Sequence, residues 1–367
     1  MIRVIHYVWS LDFGGIERLT LDAASEQLKN KDLRTSILVG KAGGKMFSML
    51  KDSGIPYTVA GLRGGGDFSM AGITRLKKIF QDADVIHFHT FTPPVALAAI
   101  LSGKRIVYTE HGNFAFGRKS TAADNVNRLL LKLFLNRYVS FVTFNSEFTR
   151  KEACSRYGLK QVRAQVIYNG MSIRPEISIA PAPDSVEASK GKFVVGTSSR
   201  FAGFKRIDRL IRAFGLFAVG KKDVRLMLVG DGPLKKELEQ LVERNNLSEQ
   251  TVFTGYSDSP GVFQQAMDVC VFPSEKEPFG IAALETLSLG KPTLVMSDGG
   301  GILEIVSGVE PADIVDGENE LAQRLEHYYS ARQQEDPAVK KRMTVAGTFN
   351  IARMEKEFYS VYKELVT

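Results

Sequence analysis

Short apolar runs alternate with amphipathic stretches along all 367 residues of the chain, and that alternation predicts a parallel α/β architecture. In the first half the runs Arg3–Tyr7, Thr35–Val39, Tyr57–Val59, Val85–His89, Arg105–Thr109, Phe141–Phe144 and Val166–Ile167 read as strands. Helical spacing fills the intervals near residues 16–29, 44–53, 70–80, 93–102, 123–137 and 147–157. No hairpin signal interrupts this series, so a doubly wound sheet is expected. A second series runs through Phe193–Thr197, Arg225–Val229, Val252–Phe253, Val269–Phe272, Thr293–Met296 and Ala312–Val315, and a helix over about 350–366 closes the chain. Pro175, Pro181 and Pro183, set among small and charged residues, mark a linker between the two series. The expected organisation is a Rossmann-like domain over 1–171, a linker over 172–192, a second Rossmann-like domain over 193–349 and a terminal helix over 350–367.

One stretch concentrates chemistry. The apolar run Asp268–Phe272 reads as a buried strand, and Pro273-Ser-Glu-Lys-Glu-Pro278 is too rich in proline and charge to continue it. Helical spacing then begins, with Ile281, Leu284 and Leu287 apolar and Gly290 as the stop. A helix start presents free N–H groups and a positive dipole end to an anion. Glu277 lies in the loop and Glu285 lies roughly 8 Å along a helix that begins near Gly280. A diphosphate at that start has a carboxylate near each end, which suits a nucleotide sugar: phosphates need cations and N–H donors, hydroxyls need acceptors.

The segment Glu277-Pro-Phe-Gly-Ile-Ala-Ala-Leu-Glu285 resembles the E-x7-E motif of the retaining glycosyltransferases of family GT4, which have the GT-B fold. The resemblance implies two Rossmann-like doubly wound domains facing across a cleft, with the last helix crossing back to the first domain. It implies that Glu277 holds sugar hydroxyls, that Glu285 holds the ribose, and that Phe279, Gly280 and Ile281 border the donor. Thr197-Ser-Ser-Arg200-Phe-Ala-Gly-Phe-Lys205 is similar to the family's G-R-x(3–4)-K pattern, with Ser199 at the usual glycine. Arg200 as a bidentate fork and Lys205 as a point charge can hold one diphosphate from two sides. Gly14-Gly15 ahead of Glu17 resembles the glycine loop that reaches the donor diphosphate, and as an isolated feature is also an ordinary α/β turn. His111 of the His-Gly pair after the fifth strand inherits contact with the transferred sugar; a loop-capping histidine is the alternative. Tyr256, after Val252-Phe-Thr-Gly, is expected near the base. Val166–Met171 resembles the turn that leads out of the first domain. Val229-Gly-Asp-Gly-Pro233 and Ser297–Glu304 also resemble family turns, and the latter is assigned no chemistry.

His87 and His89 share one face of a strand end, but a third metal ligand at a believable spacing is missing. They are expected to be structural or cleft-lining, and no metal or other cofactor is expected. Composition is ordinary for a globular protein, with 44% hydrophobic and 24% charged residues, which argues against disorder. Cys154 and Cys270 show neither C-x-x-C nor metal spacing and read as reduced thiols of a cytosolic protein. The apolar run at Met1–Tyr7 is too short for a signal peptide, and no window has the length of a membrane span.

Charge is uneven. Residues 1–170 carry 24 Lys and Arg against 13 Asp and Glu, whereas residues 171–367 carry 24 against 28. The basic half fits either an anionic membrane surface, met peripherally from the cytoplasmic side, or a merely solvated face. The helix that ends at Tyr138, apolar over most of its circumference, leaves the same two options, with core packing the expected one. The expected partners are therefore a nucleotide-sugar donor, a glycan or lipid-linked acceptor and, through the basic half, an anionic membrane; no nucleic acid is expected. Two alternatives stay open: a GT-B-fold nucleotide-sugar epimerase, and a non-catalytic nucleotide-sugar-binding protein.

Overall fold

A computed structural model describes residues 1–12, 14–44, 46–112, 121–159, 162–172 and 183–367. Pro175 and Pro181 of the expected linker, and the first residues of the apolar helical stretch expected over 118–138, lie outside the described residues.

The chain divides into two compact units, one of residues 1–172 with 349–367 and one of residues 173–348. The first unit contains β1 (Ile2–Val8), β2 (Leu33–Val39), β3 (Tyr57–Val59), β4 (Val85–Phe88), β5 (Arg105–Glu110), β6 (Phe141–Phe144) and β7 (Ala164–Val166), in the order β3-β2-β1-β4-β5-β6-β7. The second contains β8 (Phe193–Ser198), β9 (Val224–Val229), β10 (Thr251–Gly255), β11 (Val269–Phe272), β12 (Thr293–Met296) and β13 (Ile314–Val315), in the order β10-β9-β8-β11-β12-β13. Every strand pair is parallel. Strands such as β8 and β11 are continuous apolar runs because helices cover both faces of such sheets. In each sheet the order reverses beside the first strand, between β1 and β4 and between β8 and β11. Loops at the carboxyl ends of those strands are where folds of this class hold ligands.

The seventh strand starts two residues earlier and ends one residue earlier than its apolar pattern suggests. Val142 N bonds Arg163 O and Ile167 N bonds Phe144 O, so pairing with β6 selects Ala164–Val166. The helix Ile351–Val366 belongs to the first unit, where Ile351, Met354, Phe358, Val361 and Tyr362 pack with Val4, Val85 and Val107. Core packing of the helix Ala122–Arg137 holds for one side only. Leu131, Phe134 and Leu135 are buried, but Val126, Leu129, Leu130 and Leu133 are exposed. At 3.6 residues per turn, one contact stripe accounts for the first three, Leu130 borders it, and Val126, Leu129 and Leu133 point away from it. Cys270 is buried in β11, and burial pushes its thiol up to about 12.

Candidate active site

At the reversal point of the six-stranded sheet, β8 runs into Ser199–Lys205 and β11 into Pro273–Gly280. The two loops are tied together: Glu275 N donates to Phe204 O at 2.8 Å, and Lys205 Nζ donates to Glu277 Oε2 at 2.6 Å. The Lys205 and Glu277 side chains are only 19% and 11% exposed, so this pair is largely shielded from water. Two of the three non-glycine residues with positive φ among the described residues flank it, Arg206 at 47° and Lys276 at 54°. Such backbone persists only where surrounding contacts over-determine it. Here Arg206 bonds Asp208 and Glu275, and Lys276 N donates to Asp298 O at 2.9 Å.

The Glu277 backbone is clamped from both sides by the turn after β12. Its N–H donates to Gly299 O at 2.8 Å and its carbonyl accepts from Gly301 N at 2.7 Å. Three residues later Gly280, at φ 99°, is the N-cap of the helix Ile281–Ser288. A Cβ at Gly280 would lie 2.6 Å from Ile302 Cγ1, so the helix start is pressed against the same turn. Phe279 is buried and Ile281 half-buried beside it. Glu285 receives a long contact, 3.4 Å, from Gln264 Nε2, which also donates to Ser198 Oγ at 2.7 Å. That shared amide ties Glu285 to the carboxyl end of β8.

Arg200 is exposed, and its guanidinium has no hydrogen-bond or ion-pair partner among the described residues. Its loop is pinned by the glycine turn after β9: Gly230, at φ 138°, lies so close that a Cβ would meet Ser199 O at 2.0 Å. Tyr256 is 42% exposed and donates to Asp258 Oδ1 at 2.7 Å.

In the first unit Gly14 is the extended N-cap of the helix Gly15–Gln27. A Cβ there would lie 2.1 Å from Glu17 Oε2, so the Glu17 carboxyl covers the helix start. Burial raises the Glu17 pKa, and the carboxyl also accepts from its own backbone N–H. His111 follows β5 and is 7% exposed. Asn145 Nδ2 donates to its carbonyl, Glu110 Oε1 accepts from the next N–H at Gly112, and its Nε2 lies 3.1 Å from His89 Nδ1. Burial lowers the His111 pKa to about 3, so the ring is neutral near pH 7.

Two family profiles fall on this geometry. Residues 13–174 match Glycosyltransferase Family 4 and residues 180–341 match Glycosyl transferases group 1. The chain belongs to glycosyltransferase family 4. Among curated relatives, an uncharacterized glycosyltransferase of Methanocaldococcus jannaschii is 27% identical over 61% of this chain and 60% of its own length. The lipopolysaccharide core biosynthesis glycosyltransferase LpsD of Rhizobium meliloti is 31% identical over 55% of this chain and 56% of its own. The chain thus spans under two thirds of the length of these relatives. Among solved structures, Anabaena HepE in complex with UDP and glucose superposes with a TM-score of 0.84 at 22% identity, covering 99% of this chain and 100% of that one. The fold is therefore GT-B.

In this family 4 chain, three features were not read from the sequence. Lys205 and Glu277 carry separate sequence assignments yet touch. The Ser297–Glu304 turn, assigned no chemistry, supplies the carbonyl and N–H that hold Glu277. Gln264, on the helix Pro260–Ala266, is 1% exposed, and nothing local distinguishes it from the neighbouring Gln265.

Proposed function

We propose that this protein is a retaining glycosyltransferase that moves a sugar from a uridine diphosphate sugar to a glycan or lipid-linked acceptor in cell-surface polysaccharide or glycolipid assembly, in the cytoplasm. The observation that carries the reading is the Lys205–Glu277 pair at the reversal point of the second sheet. Lys205 has three N–H donors and Glu277 takes one, so two remain for phosphate oxygens in a fixed position. Breaking the anomeric C–O bond leaves negative charge on the departing diphosphate, and preorganised donors for that anion lower the barrier. Lys205, the exposed Arg200 fork and the helix start at Gly280 are those donors in this unit.

Glu277 then holds sugar hydroxyls with its second oxygen, Glu285 holds the ribose, Tyr256 borders the base, and Phe279 and Ile281 line the donor. Gly14, Gly15 and His111 are the contribution of the first unit, which serves the acceptor. Retention by front-face attack, with the leaving phosphate taking the acceptor proton, is what the resemblance to the family implies. No metal is required by this charge arrangement. UDP is favoured by the Anabaena protein, whose structure holds UDP and glucose.

Thermal-shift screening against UDP-, GDP- and ADP-sugars tests donor choice, because a ligand at one hundred times its dissociation constant adds about 2.7 kcal/mol. Stabilisation by UDP-sugars with formation of a retained glycoside is expected. Isomerised free donor sugar in the NMR spectrum points to an epimerase instead, and binding without turnover on any acceptor points to a non-catalytic protein.

A peripheral membrane contact is favoured by a second observation, the exposed Val126, Leu129, Leu130 and Leu133 interleaved with Arg128, Lys132 and Arg137 on one helix. Apolar residues among cations suit an anionic interface. Among the described residues no helix is long and apolar enough to cross a membrane. Flotation with anionic liposomes at low salt is expected, and its absence would remove this contact.

A further inference from the structure

Four of the five histidines of the chain meet beneath the carboxyl edge of the seven-stranded sheet. His6 on β1 is the ladder partner of His87 on β4, and His89 follows two residues later on the same face. His6, His87 and His89 offer nitrogens within 4.8 Å of one another, a spacing that invites a chelate. All six of their ring nitrogens are already engaged, however. His87 bonds Tyr362 OH at 2.7 Å and Thr109 Oγ1 at 2.6 Å. The other contacts form a line: His111 Nε2 to His89 Nδ1 at 3.1 Å, His89 Nε2 to His6 Nδ1 at 2.9 Å, and His6 Nε2 to Gln27 Oε1 at 2.8 Å.

A line of neutral imidazoles has a direction, because each ring carries one N–H and one lone pair. Its far end sets that direction. Gln27 Oε1 accepts from Thr35 Oγ1 at 2.8 Å as well as facing His6 Nε2. With an acceptor at the end, His6 must carry its proton on Nε2 and accept at Nδ1. His89 must then donate from Nε2 and accept at Nδ1, and His111 must donate from Nε2. We propose that Gln27, His6 and His89 form a buried relay that holds His111 as the Nε2–H tautomer and leaves its Nδ1 a bare acceptor. The rings are neutral, as the line requires: burial lowers His6 to about 4 and His111 to about 3, and burial with the neighbouring imidazoles takes His89 well below its ordinary value.

His111 Nδ1 has no partner among the described residues. An acceptor there takes a hydrogen bond from a sugar hydroxyl, whereas the opposite tautomer would offer a hydrogen. The use of the relay thus rests on the proposed contact between His111 and the transferred sugar, but the relay itself belongs to the ligand-free protein. Gln27, His6 and His89 are positioning residues that act through His111.

Selective 15N-histidine labelling reads this directly, since only five residues contribute and ring nitrogens with and without a proton resonate far apart. In the wild-type protein near pH 7, His111 is expected to show a bare Nδ1 and a protonated Nε2. Gln27→Met removes the terminal acceptor and is expected to admit the reversed line, with a proton appearing on His111 Nδ1. A wild-type His111 protonated on Nδ1 overturns the proposal without any variant having to fold, and so does a folded Gln27→Met protein with unchanged His111 nitrogens. Adding UDP-sugar separates the two readings. A bare Nδ1 that fails to respond to donor keeps the relay and rejects the sugar contact.

Discussion

Removing either member of the Lys205–Glu277 pair is expected to damage stability more than removing both. At 2.6 Å the gross attraction is about 6 kcal/mol for an effective dielectric constant of roughly 20, most of it offset by desolvation. What a single substitution exposes is the stranded charge. Lys205→Met leaves the Glu277 carboxylate, in a residue only 8% exposed, without its counter-ion. Breaking a buried pair in this way costs roughly 3–5 kcal/mol, and the residual exposure of this one puts it near the lower figure. Glu277→Gln leaves an ammonium on a flexible stem, at about 1–2 kcal/mol, because Lys205 can swing towards water. The double variant strands neither charge, so its loss is about 1 kcal/mol and the coupling energy is on the order of 3–4 kcal/mol. Denaturant unfolding of the four proteins measures this cycle. Steady-state turnover of the same set is expected to show kcat/KM about 10²–10³-fold down in each single variant, the usual effect of losing one preorganised donor or its anchor. Additive stabilities would refute the pair, and near-normal turnover in both single variants would refute the proposed site.

Arg200→Ala supplies the contrast: an exposed side chain with no described partner should change stability by no more than about 0.5 kcal/mol while donor affinity falls, as calorimetric titration with UDP would show. Glu355, buried on the C-terminal helix, has its pKa raised by burial to about 8 from 4.5. Between those values the folded protein keeps a proton that the unfolded chain has released, so stability should fall as pH rises through that window. Glu355→Gln should flatten the slope and raise stability at pH 8 by a few kcal/mol, at about 1.4 kcal/mol per pKa unit; an unchanged pH profile would show that Glu355 titrates normally. Gly280→Ala places a Cβ 2.6 Å from Ile302 at φ 99°, and a loss of about 1–3 kcal/mol together with weaker donor binding is expected in thermal-shift titrations. Leu129→Asp with Leu133→Asp should abolish liposome flotation and leave the folded stability unchanged, since both side chains are already exposed.

The sequence by itself determined what depends on neighbours along the chain. Strand runs such as Val269–Phe272, the helix start at Gly280 and the candidate groups Arg200, Lys205, Glu277 and Glu285 are legible because period, turn chemistry and short motifs act over a few residues. The second unit's proposed site is therefore stated in the sequence only as a set of residue types. Which of them touch is not. Lys205 and Glu277 are 72 positions apart, and only the adjacency of β8 and β11 brings their loops together. The Gly299–Gly301 clamp on Glu277 likewise requires β12 to lie beside β11. His6 and His111 are ordinary strand-end residues until β1, β4 and β5 stand side by side and burial strips their rings of water. The helix Ala122–Arg137 makes the same point from outside. Its apolar excess is plain in the sequence, but the stripe that becomes core is chosen by the sheet it packs against, and the remaining leucines are left facing solvent.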